Sequence, residues 1–203
     1  MLETSTVKTD ILISRWDEDQ TKWVIGKGYA DPQPRHFAMF GIEPYLVTTH
    51  EDCNLLTHNG WGALLGGVAG TTIATKFSGT AGRIGVGTVA TAATAADTAL
   101  GGDTGGSSTT SYYQLVSGAP TINTSIAPAT LTFAATFGTS VANFAWAEFG
   151  IDNYTASSVT TTSTGSVFIN HGISAQGTKV SGQTWNITAT LNFGYPSNAG
   201  VVS

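Results

Sequence analysis

From Trp185 to Phe193 every second residue is apolar: Trp185, Ile187, Ala189, Leu191 and Phe193 alternate with Asn186, Thr188, Thr190 and Asn192. A period of two puts the first set on one face of an extended strand and the second set on the other, which a helix of 3.6 residues per turn does not do. Such a strand needs neighbours to satisfy its main chain and a second layer to cover its apolar face. The same period recurs over Thr130–Phe137, with Leu131, Phe133, Ala135 and Phe137 on one side and Thr132, Ala134 and Thr136 on the other. Between these two strands, Asn143–Ile151 and Ser166–Asn170 are aromatic or β-branched runs bounded by Gly, Asn and Ser. Four strands at short intervals predict a mainly β chain, an antiparallel, jelly-roll-like β-sandwich.

Two further segments read as strands near the N-terminus, Ile11–Trp16 and Lys22–Ile25, and the acidic stretch Asp17-Glu18-Asp19-Gln20 between them reads as the turn of a hairpin. Asp31-Pro32-Gln33-Pro34 breaks the chain again, because proline fixes its own backbone and removes an amide donor; a loop, strand edge or connector is expected there. After Asn59-Gly60, the spacing of Trp61, Leu64, Leu65 and Val68 predicts one short helix, weakened by its glycines. Residues 88–111, rich in Thr, Ala, Gly and Ser, hold too few bulky side chains for a core of their own. They are expected to form a long loop or arm ordered by contact with another subunit.

Charge divides the chain. Of 21 charged residues, 13 acidic and eight basic, residues 1–60 carry 14 and the other 143 positions carry seven. The expected organisation is a charged arm or hairpin region over residues 1–58 and a β-sandwich domain over 59–203. Charged residues are 10% of the chain, against about 25% in an average globular protein. A surface so poor in charge is what covering by other subunits predicts. Net charge is −5, and eight scattered basic residues make no phosphate-binding patch, so no nucleic-acid partner is expected. The first eight residues lack a cationic region followed by an apolar core, so no secretory signal is expected. Nor is a membrane segment, since Gly62, Gly66, Gly67 and Gly70 interrupt the apolar stretch Trp61–Ala74.

Chemistry-bearing patterns are sparse, and the expectation is of no catalytic, cofactor-binding or metal residues. His50, Glu51, Asp52, Cys53 and His58 cluster in sequence, but their spacing matches no closed tetrahedral site; a polar turn and a buried free cysteine explain them. Gly82-Arg83-Ile84-Gly85-Val86-Gly87 lacks the order and the Lys-Ser/Thr of a phosphate loop and reads as a strand whose glycines permit close approach, with Arg83 at its solvent or subunit edge. Glu148, between Trp146 and Phe149, and the nearby Asp152 are the carboxylates best placed for acid–base work. A structural role for Glu148, capping a turn or pairing with Lys179 or Arg83, accounts for it more simply. His171 reads as a strand-end residue, and the Asn-x-Ser/Thr tripeptides at Asn123, Asn153 and Asn186 as products of Thr-rich strands.

In order along the chain stand Asn54-Leu55-Leu56-Thr57 with Gly60, then Arg83-Ile84-Gly85-Val86-Gly87, then Asp97-Thr98-Ala99-Leu100, then Phe144-Ala145-Trp146-Ala147-Glu148-Phe149-Gly150-Ile151-Asp152-Asn153, and finally Gly177–Trp185 leading into the last strand. This order, covering about Asn54 to Phe193, resembles tail-collar and tail-fibre-associated modules of tailed-bacteriophage virions. The resemblance implies a homo-oligomeric structural protein, made in the host cytoplasm and built into the virion beside other virion proteins. It implies a place in the collar, baseplate, an adaptor or the capsid surface. The alternatives are capsid decoration and a carbohydrate-binding, host-recognition sandwich, in which Trp61, Tyr112, Tyr113, Trp146 or Trp185 would stack on sugar rings. The first 50 residues have no counterpart in the resemblance and read as an attachment arm.

Overall fold

The computed structural model describes residues 7–51, 54–70, 77, 81–103, 109–125, 128–154 and 167–194. The chain is mainly β, with two antiparallel sheets of five strands. The strands are β1 (Val7–Trp16), β2 (Leu46–His50), β3 (Asn54–Leu56), β4 (Gly82–Gly87), β5 (Ser111–Leu115), β6 (Thr121–Asn123), β7 (Ala129–Phe137), β8 (Ala145–Asn153), β9 (Val167–Thr178) and β10 (Thr184–Phe193). The first sheet runs β2-β1-β10-β7-β6 and the second β3-β9-β8-β4-β5. The outer pairings nest as in a jelly roll, β1 with β10 and β3 with β9, whereas β8 and β9 form a hairpin within one sheet.

The predicted faces are the observed ones. Ile187, Ala189 and Leu191 of β10 and Phe133, Ala135 and Phe137 of β7 are all buried, and they meet Ile84, Val86, Trp146, Phe149, Ile151 and Ile169 from the other sheet. Trp146 sits at the centre of this contact, edge-on to Phe137 at 4.8 Å and to Trp185 at 4.7 Å between ring centroids, an arrangement suited to the aromatic quadrupole.

The N-terminal region corrects the sequence reading. Residues 7–16 are no arm: Ile11 and Ile13 are buried in the main core, and β1 lies between β2 and β10, in register from Val7↔Phe193 to Trp16↔Thr184. The sandwich therefore draws strands from both sides of Gly60. Nor is there a hairpin at Asp17. Asp17 is the N-cap of helix α1 (Glu18–Gly26): its Oδ1 accepts from Gln20 N at 2.8 Å, and Gln20 Oε1 accepts from Asp17 N at 3.1 Å, a reciprocal capping box. The Pro-rich break starts a second helix, α2 (Pro34–Met39), because proline's fixed φ suits the first helical turn. These helices make a small satellite core of Trp16, Val24 and Phe37, with Trp16 stacked on Phe37 at 4.5 Å. The third helix, α3 (His58–Val68), is the one predicted; Thr57 caps it, and Gly60 lets it approach so closely that a Cβ there would overlap the carbonyl of Ile169. Among the described residues, no helix is long and apolar enough to cross a membrane.

Candidate functional site

The most concentrated polar constellation lies on the second sheet, where the mid-strand residues Glu148 of β8 and His171 of β9 meet the 88–103 segment. Glu148 is fully buried. Its Oε2 accepts from Gly101 N at 2.7 Å and its Oε1 from Gly102 N at 2.7 Å and Val89 N at 3.3 Å. Gly87 leaves the carboxylate its space, since a Cβ there would overlap Oε1. On its other side, Glu148 Oε2 lies 3.0 Å from His171 Nε2, and His171 Nδ1 lies 2.5 Å from Asp97 Oδ2. Thr94 holds Asp97 in turn, through its amide at 2.8 Å and its hydroxyl at 2.6 Å. Leu100 completes the closure, packing with Tyr113 and Phe168 while its amide donates to the Tyr113 hydroxyl.

Two expectations change here. The described part of the 88–111 tract is held by this chain's own carboxylate; a buried anion with several amide donors supplies what its small side chains cannot. Residues 104–108 of that tract lie outside the described residues. His171 stands within β9 rather than at a strand end, buried between two carboxylates, because β9 runs seven residues past it to Thr178. Glu148 does cap loop amides, but it pairs with neither Lys179 nor Arg83. Both imidazole nitrogens of His171 are engaged, Glu148 is fully buried, and the Asp97 side chain is 24% exposed. The cluster's chemistry is that of a clasp, a carboxylate–imidazolium–carboxylate bridge fastening a loop to a sheet.

Protonation governs the clasp. Burial by itself disfavours the His171 imidazolium, but hydrogen bonds and charge from Glu148 and Asp97 outweigh it and raise the pKa above the ordinary 6.5. Burial likewise works against ionised Asp97, and the bonds from His171 and Thr94 overcome it, lowering that pKa below the ordinary 3.8. The signs follow from linkage. The raised histidine contributes stability that is full below 6.5 and lost as pH rises through its folded pKa; the depressed aspartate contributes stability present above 3.8 and lost as pH falls through its folded value. Hydrogen exchange at Gly101 and Gly102, corrected for intrinsic rates, is expected to show full protection between pH 3.8 and 6.5, declining as pH falls through the folded aspartate value and as it rises through the folded histidine value. Protection that stays flat through the alkaline arm would show that the imidazolium does not hold the loop. Lys179 runs the other way: burial lowers its pKa to about 8, so global stability gains from it between about pH 8 and 10.5. The amide readout is therefore the informative one.

The remaining sequence candidates separate. Arg83 is not at an edge: it is fully buried, bonded through two nitrogens to Asp152, with Nε–Oδ1 at 2.9 Å, and flanked by the rings of Tyr113 and Tyr154. Lys179 donates to Gly138 O, Val141 O and Asn143 Oδ1. His50 reaches from β2 to Ser174 and Gln176 of β9, while His58 begins α3; Asp52 and Cys53 lie outside the described residues. No group of three potential metal ligands occurs among the described residues. Of the aromatics suited to sugar stacking, Tyr112, Tyr113, Trp146 and Trp185 are buried, and Trp61, on α3, is 41% exposed.

What the surface does expose is apolar. Trp23, Met39, Phe40, Tyr45, Leu46 and Val47, all within residues 23–47, are each at least 36% exposed, and on α3 Leu65 and Val68 reach 62% and 88%. Trp23 and Phe40 meet edge-on at 4.9 Å, so α1 and α2 present a joint aromatic surface. Capping chemistry could have located α1 in the sequence, and with it the outward position of Trp23. The chain matches no family model, no curated protein and no solved structure.

Proposed function

We propose that this protein is a structural component of a phage particle, a tail, collar, baseplate or capsid-surface subunit working through subunit–subunit contacts. The observation that carries the reading is the large apolar exposure of α1, α2, β2 and α3 on a chain with 10% charged residues. Exposed apolar surface that is contiguous marks an interaction site, Trp23 and Phe40 touch at 4.9 Å, and aromatic and Met side chains are the residues that interface cores favour. The ordered Gly, Thr and aromatic segments between Asn54 and Phe193 supply the phage assignment. In this reading the sandwich core and the Glu148 clasp keep the subunit rigid, and the N-terminal helices, β2 and α3 supply its contacts with copies of itself and with other virion proteins.

Light scattering on the purified chain over a range of concentrations tests it, together with incorporation into particles of its source. A discrete oligomer, or recovery of the chain in particles, is the expected result. An inert monomer at every concentration, absent from particles, would overturn it.

A further inference from the structure

Sheet edges offer rows of main-chain donors and acceptors that only another extended backbone can pair with fully, and soluble proteins ordinarily blunt them with short strands, charge or proline. Three edges here are blunted. β3 and β6 are three residues long, and Ser111, Tyr112 and Tyr113 of β5 are buried. The fourth edge, β2, is five residues long, Leu46-Val47-Thr48-Thr49-His50, and contains no Lys, Arg, Asp, Glu or Pro. Among the described residues its strand partner is β1, on one side. Leu46 is 43% and Val47 47% exposed. The register with β1 fixes its faces: Leu46, Thr48 and His50 stand beside Arg15, Ile13 and Ile11 on the core side, and Val47 and Thr49 stand beside Ser14 and Leu12 on the outer side.

We infer that β2 is the site at which a second copy of this chain adds its own β2, antiparallel, joining two five-stranded sheets about a twofold axis. This rests on the proposed assembly function and gives it a surface. The occupant is argued from the strand itself. Reversed upon itself about Thr48, the segment sets Val47 opposite the partner copy's Thr49, Thr48 opposite its counterpart and Leu46 opposite His50. β-branched side chains then face each other on the outer side, and no carboxylate or ammonium is brought against its like. A twofold contact requires such self-complementarity, because the same patch serves both partners. The side chains beneath are already anchored: Thr48 donates to Gln176 Oε1, and His50 is bonded to Ser174, so the core side of β2 is held in place before a partner arrives.

The pairing makes a register-specific prediction, because residue 47 of one copy faces residue 49 of the other. The full chain carrying V47K and T49K clusters four like charges at the axis, as does the chain carrying V47E and T49E; each alone is expected to sediment as a monomer with an unchanged circular dichroism spectrum. Mixed one to one, the two variants are expected to restore the wild-type dimer, with lysine facing glutamate. If both variants associate as wild type does, or if the mixture remains monomeric, β2 is not the self-pairing edge, and an oligomeric wild type still leaves the proposed function standing. A wild type that is monomeric throughout, and absent from particles, removes both. Should the variants misfold, amide exchange across β2 of the wild type gives the same decision: protection at residues 46–50 that rises with protein concentration supports the pairing, and protection independent of concentration overturns it.

Discussion

Replacing Glu148 with alanine is expected to destabilise the protein by about 3–5 kcal/mol, the range for removing one partner of a buried ionic arrangement. The loss comprises more than a contact. Gly101 N, Gly102 N and Val89 N all point at this carboxylate, and His171 would keep a buried charge with only Asp97 to balance it. Against a total stability of about 5–15 kcal/mol for a domain, such a loss brings unfolding within reach of mild conditions. Glu148→Gln separates charge from shape: it retains one carbonyl acceptor but loses the ion, so its urea midpoint is expected to fall between those of wild type and the alanine variant. A midpoint for Glu148→Ala within error of wild type would show that the loop is held by its apolar anchor Leu100 instead.

The second large effect is Trp185→Ala, for which about 3–5 kcal/mol is expected from lost burial and the cavity left behind. Trp185 is 2% exposed, edge-on to Trp146, and its ring lies 4.5 Å below the Arg15 guanidinium. Arg15 is itself buried, and burial lowers its pKa, so the ring is part of what that charge has in place of water. The contrasting variant is Trp61→Ala, on the exposed face of α3, expected to change stability by about 0.5 kcal/mol or less. Denaturant curves for the pair distinguish a core tryptophan from a surface one. A stable Trp185→Ala protein that had lost a glycan ligand would favour the carbohydrate-binding alternative.

Strands that alternate cleanly were legible in the sequence because burial of one face writes itself with a period of two; β7 and β10 are the cases, and α3 is its helical counterpart. The failures have physical causes too. Lys22-Trp23-Val24-Ile25 is rich in β-forming residues, yet it is helical, since the Asp17–Gln20 capping box starts a helix just ahead of it and tertiary packing asks only Thr21 and Val24 to be buried. That capping signal, Asp-x-x-Gln, was readable. The clasp was not: Asp97, Glu148 and His171 are spread over 74 positions, and nothing in their spacing reports that β8 and β9 pair so as to bring Glu148 and His171 together. The glycines around them carried the only trace, since Gly87 has no side chain where Glu148 needs room.

The pairing of β1 with β10 sets a clock on folding. Trp16 and Thr184 are neighbours in the sheet yet 168 positions apart, so at about 5–20 residues per second β1 waits about 10–30 s for its second partner to be synthesised. Contacts of such long range form slowly, since the chain must close a large loop before any pairing rewards it. Throughout that interval β1 has an open flank, and the β2 edge hangs on a strand not yet fixed in place. Until β10 docks, the β2 edge is thus carried on a half-paired strand, and only the completed first sheet holds that edge rigid.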